Sequence, residues 1–280
     1  MQQTLVVKCG GHGAVDPQAV CRDLAEVRRG GRDVVLVHGG SADIDALAAR
    51  LGLPARRLTA PDGVSARYTD EATLEAVHLA LAGIAKPRLV RALDAAGVPA
   101  VGLTGLDGGL LRARRKSAHR AVVDGRRTVV RDDHSGRITD VAAGLLERLL
   151  TAGYVPVVSP PALAEDGRPV NCDADRAAAA VAAALGAAEL VLLTGAPGVL
   201  ADPADEGSVL DVCPVPDEGP PPYTGGGMGL KLVAAREALA GGVGRVLVAD
   251  GRGSDPVRGA LAGQATEIVR AAAAVGGAGR

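Results

Sequence analysis

Neither phenylalanine nor tryptophan occurs among the 280 residues, and aromatic side chains make up 1% of the chain. Val, Leu and Ala must therefore fill the interior, which favours helices packed on a buried aliphatic sheet. No apolar run approaches the roughly 20 residues needed to cross a bilayer. Met1 leads directly into a strand-like Leu5–Val7 with no secretory pattern, so the expectation is a cytoplasmic protein without membrane association. The four cysteines, Cys9, Cys21, Cys172 and Cys213, include no C-x-x-C pair and have no histidine at ligand spacing, which reads as reduced core or loop thiols and no metal site. There is no G-x-x-x-x-G-K-[ST], which disfavours a P-loop ATPase. The first glycine loop, Gly10-Gly11-His12-Gly13, does not fit G-x-G-x-x-G, which disfavours a dinucleotide-binding dehydrogenase. No Ser-His-Asp, H-E-x-x-H or paired-carboxylate pattern is evident.

What is present is length and rhythm. At 48% hydrophobic residues the chain can bury a sizeable core, as one large domain or two fused lobes. Strand-like runs (Leu5–Val7, Val34–Val37, Val155–Ser159, Leu190–Leu193, Val246–Ala249) alternate with helix-like ones (near Pro17–Arg29, Ala42–Leu51, Asp70–Gly97 broken near Pro87, Thr139–Ala152, and after Asp173 and Gly227), the pattern of parallel β-α units. Asp16-Pro17 is a good helix start, with a capping carboxylate followed by a residue suited to the first helical position. Asp202–Pro222 reads as a Pro-rich loop, and the Ala/Gly tail over 271–280 as frayed.

Net charge is −1, but unevenly spread. Between Arg112 and Arg137 nine Lys or Arg face three Asp, leaving the rest of the chain at −7. Asp124-Gly125 is a hairpin turn signal, so 110–138 is expected to be a projecting basic β-hairpin. It is either a docking surface for an acidic protein or a solvated ribbon.

Two glycine-rich turns follow the first two strands, Lys8-Cys9-Gly10-Gly11 and His38-Gly39-Gly40-Ser41. In a parallel sheet both lie at the carboxyl ends of the strands, where free amides and a helix N-terminus suit oxyanions. Either alone is as well explained as a tight β-α turn. The two together, the first with a lysine, favour anion binding.

The chain resembles the amino acid kinase family over nearly its whole length, through V-V-K-C-G-G, V-H-G-G-S, S-A-R-Y-T-D, V-N-C-D-A-D before an Ala-rich helix, L-L-T-G-A-P-G-V, G-G-M-G-L-K and V-A-D-G-R. The resemblance implies a three-layer α-β-α sandwich around a mostly parallel sheet, the carbamate kinase-like fold. It also implies one domain over 1–270, with an acceptor lobe (1–165) and an ATP lobe (166–270). Within the family, H-G-G-S, G-L-T-G-L-D-G-G-L followed by R-A-R-R-K, and S-P-P-A-L resemble the kinases that phosphorylate aminoadipate or glutamate attached to a small acidic, LysW-like amino-group carrier protein. The alternative is an acetylglutamate kinase acting on the free amino acid, and a catalytically dead regulatory subunit would be expected to lack one of the lysines.

Site roles follow from the resemblance. Lys8 and Lys231 would stabilise the transferring phosphoryl group, and Asp173 would orient both lysines or simply cap its helix. Gly10 and Gly11 would hold the γ-phosphate. Gly39, Gly40, Ser41, Arg67 and Asn171 would bind the acceptor, with a surface ion pair for Arg67 and a turn role for Asn171 as the plainer readings. Thr194, Gly195, Gly198 and Met228 would meet ATP, Mg2+ would arrive with ATP, and Arg112, Arg114, Arg115 and Lys116 would contact the carrier. No nucleic-acid partner is implied, and a homodimer without arginine control is the expected assembly. Two positions depart from the family's usual pattern. Gly195 stands where many members have Asp, and Pro169 stands where acetylglutamate kinases have a further Asn.

Overall fold

The computed structural model describes residues 3–11, 13–59, 65–115, 119–123, 126–223 and 227–271. In chain order the first half contains β1 (Leu5–Cys9), α1 (Pro17–Arg29), β2 (Val34–His38), α2 (Ser41–Arg50), β3 (Arg57–Thr59), β4 (Ser65–Arg67), α3 (Glu71–Ala80), a π-helical turn (Leu81–Ala85), α4 (Lys86–Ala95), β5 (Ala100–Thr104), β6 (Leu111–Arg115), β7 (His119–Val123), β8 (Arg126–Val130) and β9 (Gly136–Val141). Then follow α5 (Ala143–Thr151), β10 (Val155–Ser159), β11 (Ala162–Ala164), β12 (Pro169–Val170), α6 (Ala174–Ala184), β13 (Glu189–Thr194), β14 (Val212–Val215), α7 (Met228–Ala240), β15 (Arg245–Asp250), α8 (Pro256–Leu261) and β16 (Thr266–Arg270).

The aliphatic strands form one eight-stranded sheet in the order β14-β16-β15-β13-β1-β2-β10-β5. Its ladders are parallel except between β15 and β16. Every residue of β1, β2 and β10 is buried, as expected of strands covered on both faces. Alternate side chains feed two cores. Val6, Val35 and Leu190 pack with α5, α6 and α7, and Leu5, Val7 and Leu36 pack with α1, α4 and α8. The three-layer sandwich is thus present, and each core draws on strands from both halves of the chain.

Two four-stranded sheets stand apart from the central one, β12-β11-β6-β9 and β4-β3-β7-β8. They correct the expected single hairpin over 110–138. The inner pair β7/β8 brackets residues 124 and 125 but extends the sheet of β3 and β4. The outer pair β6/β9 belongs to the other sheet, where β6 also lies beside β11. Val130, at the end of β8, buries against Leu58 and Tyr68, which ties the inner ribbon to its own sheet.

Three further expectations change. Residues 139–141 are strand, not helix, because they complete the β9 ladder with β6, and α5 starts only at Ala143. The stretch over 70–97 does not break at Pro87: a π turn widens the helix just before it, and Pro87 follows immediately, in the first turn of α4, where the locally displaced hydrogen-bond ladder accommodates a residue without an amide. The Pro-rich loop over 202–222 contains β14, whose Pro214 lies on an edge strand, a position that tolerates the loss of a ladder donor.

Candidate active site

Lys8 is the fourth residue of β1 and points to the α6 side of the sheet. Lys231 lies in the first turn of α7, which packs beside α6. Their ammonium groups converge on one carboxylate. Asp175 Oδ1 accepts from Lys8 Nζ at 2.9 Å and from Lys231 Nζ at 3.0 Å, while its Oδ2 takes a second contact from Lys231 at 3.1 Å. All three side chains are nearly removed from solvent, at 4%, 9% and 6% exposure for Lys8, Lys231 and Asp175.

The contact expected of Asp173 therefore belongs to Asp175, two residues on. Asp173 is the N-cap of α6, its Oδ1 accepting from the Arg176 amide at 3.0 Å. The signal was in the motif itself: V-N-C-D-A-D carries two aspartates, and only the second lies inside the helix and faces the sheet.

Burial and charge pull against each other here. Burial pushes the Asp175 carboxyl up, but Lys231 and Lys8 outweigh it and hold it at about 2. Burial and the neighbouring Asp175 charge hold Asp173 above the usual carboxylate range. Burial also lowers both lysines. Facing Asp175 and Asp173, Lys8 ends above its ordinary value, whereas Lys231, with Lys8 as a like-charged neighbour, ends below.

Lys231 lines a cavity of about 620 Å3 together with Gly10, Thr194, Gly195, Gly198 and Met228, within the usual range for ligand pockets. Leu200, just after L-L-T-G-A-P-G-V, and Pro222 and Tyr223, in the loop leading to Met228, also line it. Gly195 has no room for the family's usual Asp: a Cβ there would sit 2.7 Å from Ala14 Cβ, in the loop after β1.

The two glycine turns touch. A Cβ on Gly11 would lie 2.4 Å from the Gly40 amide nitrogen. The Gly11 carbonyl accepts from Ser41 Oγ at 3.0 Å and from the Ala42 amide at 2.9 Å. Gly11, Gly39 and Gly40 line a second cavity of about 230 Å3, which shares Gly10 and Val15 with the first. Ser41 thus spends its hydroxyl on fastening one turn to the other.

Arg67 ends β4, where its guanidinium lies 2.6 Å from Asp45 Oδ1 on α2. Asn171 reaches the same segment, its Nδ2 donating to Thr69 Oγ1 at 3.2 Å, while that hydroxyl donates to the Arg67 carbonyl at 3.3 Å. Thr69, part of S-A-R-Y-T-D but given no role by the resemblance, thereby joins the two expected acceptor-binding residues. Of the basic residues assigned to a partner, Arg112 and Arg114 are exposed on β6. Arg115 is half-buried and donates from Nε to the Asp133 carbonyl at 3.4 Å. Lys116 lies outside the described residues.

Two buried ammonium groups sharing one carboxylate, one of them on the wall of a ligand-sized cavity, are suited to receiving a polyanion, and the class this defines is a phosphotransferase built on a parallel sheet. The chain belongs to the amino acid kinase family, whose profile matches residues 3–250. It is 44% identical over 265 residues to the [LysW]-aminoadipate kinase of Deinococcus radiodurans, covering 94% of this chain and 91% of that one. It is also 36% identical over 259 residues to the acetylglutamate kinase of Heliobacterium modesticaldum, covering 89% and 85%. Among solved structures, the carbamate kinase of Giardia superposes with a TM-score of 0.66 at 17% identity, covering 96% of this chain and 99% of the other, a likeness of fold. No helix among the described residues is long and apolar enough to cross a membrane.

Proposed function

We propose that the chain transfers the γ-phosphoryl group of ATP to the side-chain carboxylate of an acidic amino acid whose amino group is blocked by attachment to a small acidic carrier protein. The observation that carries this reading is the pair of buried lysines on Asp175 beside the 620 Å3 cavity. The carrier is supported by the 44% identity to a [LysW]-aminoadipate kinase and by exposed Arg112 and Arg114 on β6, which offer an acidic partner electrostatic steering. Residues 1–165 then serve as the acceptor side and 166–270 as the nucleotide side.

The acceptor carboxylate, with a reference pKa of about 4.3, is ionised at neutral pH, so no general base is needed. Catalysis consists of alignment and charge neutralisation. Lys8 and Lys231 offset the charge on the migrating phosphoryl group while Asp175 keeps them together. Amides of Gly10 and Gly11 hold its oxygens, and Arg67 with Asn171 holds the acceptor in line, Arg67 leaving Asp45 to grip a carboxylate bidentately. The product is an acyl phosphate. Among the described residues no group of three or more His, Cys, Asp or Glu is arranged for a metal. Mg2+ would arrive with ATP and supply charge neutralisation for the phosphates.

The second reading, phosphorylation of free acetylglutamate, is favoured by the match to acetylglutamate kinases. Purified protein with ATP and hydroxylamine should yield a hydroxamate on the aminoacyl carrier and little with free acetylglutamate. The reverse pattern selects the second reading, and no hydroxamate with either acceptor refutes both.

A further inference from the structure

α6 and α7 carry the two sides of the site, Asp175 and Lys231, yet most of the residues they bury are small. The buried positions include Ala178, Ala179 and Ala182 on α6 with Ala234, Ala235 and Ala238 on α7. At the far end the helices come so close that a Cβ on Gly241 would lie 2.5 Å from Ala183 Cβ. Such a seam brings backbones together but offers shallow ridges, and ridges set the register in which helices interlock.

A polar contact supplies what the seam lacks. Arg176, next to Asp175, meets Glu237 in a two-pronged pair, Nε to Oε2 at 2.8 Å and Nη2 to Oε1 at 2.5 Å. Glu237 lies six residues beyond Lys231, about 9 Å along the helix at 1.5 Å per residue. Arg137 on β9 approaches the same carboxylate at 3.6 Å.

We propose that Arg176 and Glu237 are a positioning pair that sets the register of α7 on α6 and so holds the Lys231 ammonium on Asp175. The inference rests on the phosphotransfer reading for its kinetic consequence but not for its structural one. A fork-shaped pair fixes direction as well as distance, and displacing a group by about 1 Å can cost about 100-fold in rate.

The chain has only four lysines, Lys8, Lys86, Lys116 and Lys231, so acetylation by limiting acetic anhydride can be followed residue by residue by peptide mass spectrometry. In Glu237→Gln and in Arg176→Gln, Lys231 should be acetylated about tenfold faster, with Lys86, buried against β5, unchanged; kcat should fall roughly 10- to 100-fold while ATP binds within about threefold of wild type. The double variant should match the singles rather than compound them. Should the glutamine variants fail to fold, Arg176→Lys, which keeps the charge without the fork, should show the same changes at smaller size. An unchanged Lys231 rate in folded variants overturns the proposal, whether kcat falls or not. If the wild type makes no acyl phosphate with any acceptor, the kinase reading fails while the labelling still decides the pair.

Discussion

Replacing Asp175 by Asn keeps the shape of the side chain and removes the one negative charge that two buried ammonium groups share. A carboxyl held at about 2 against an ordinary 3.8 contributes on the order of a few kcal/mol of folding stability at neutral pH. The sign follows from the depressed folded value: this contribution is complete above pH 4 and is lost as pH falls towards 2. The substitution also strands charge, and deleting one partner of a buried pair costs about 3–5 kcal/mol. For a chain of this size that lowers the melting temperature by about 6–20 °C. The fold has a way to limit the loss, which is to release a proton from one lysine. Lys231, already below its ordinary value through burial and the charge of Lys8, is the group to do so. Asp175→Asn should therefore lose turnover increasingly as pH rises, over a range where the wild type is flat. The assay is hydroxamate formation across pH, with thermal unfolding of the same samples. Asp173→Asn should be nearly silent in both, because Asn caps helices about as well as Asp. If Asp173→Asn abolishes turnover while Asp175→Asn melts and works like the wild type, the assignment of the organising carboxylate is wrong.

Three other outcomes follow from the same geometry. Gly11→Ala places a Cβ 2.4 Å from the Gly40 amide, so it should destabilise by about 1–3 kcal/mol and raise KM for both substrates; a wild-type melt would show that the turns are not in contact. Gly195→Asp collides with Ala14 and should weaken ATP binding measured by calorimetry, whereas unchanged affinity would mean the loop after β1 moves freely. His38 is buried with Nδ1 2.8 Å from the Gly39 carbonyl and no partner on Nε2 among the described residues, and burial, countered in part by that contact, holds it at about 4. Its stability contribution is present above pH 6.5 and lost as pH falls towards 4, so His38→Gln should flatten the fall in urea midpoint over that window, and an equal fall in both proteins would refute it.

Much of the sheet was legible because its strands announce themselves twice, by aliphatic runs such as Leu5–Val7 and by the turn residues that end them. The missing pieces are those where tertiary context overrides the local signal. Residues 139–141 look helical beside the apolar Leu145 and Leu146, but cross-strand pairing with β6 claims them. β14 was hidden by Pro214, which only an edge position accommodates. The nested ribbons over 110–141 share one turn signal, and nothing local tells which sheet each strand will join. In the site, the lysines were identifiable from their motifs, but which of two nearby aspartates meets them depends on helix phase, and a capping residue and an inward-facing residue look alike in a string of letters. The Arg176–Glu237 pair left no trace because its members lie 61 residues apart, and Thr69, though inside S-A-R-Y-T-D, shows its link to Asn171 only in the fold.

In the proposed reaction Lys8 and Lys231 jointly offset charge on the migrating phosphoryl group, and the sharpest check is single-turnover hydroxamate formation by Lys231→Ala at saturating ATP and acceptor. The rate should fall about 100- to 1,000-fold below wild type with ATP affinity within about threefold. A wild-type rate from that variant would contradict it.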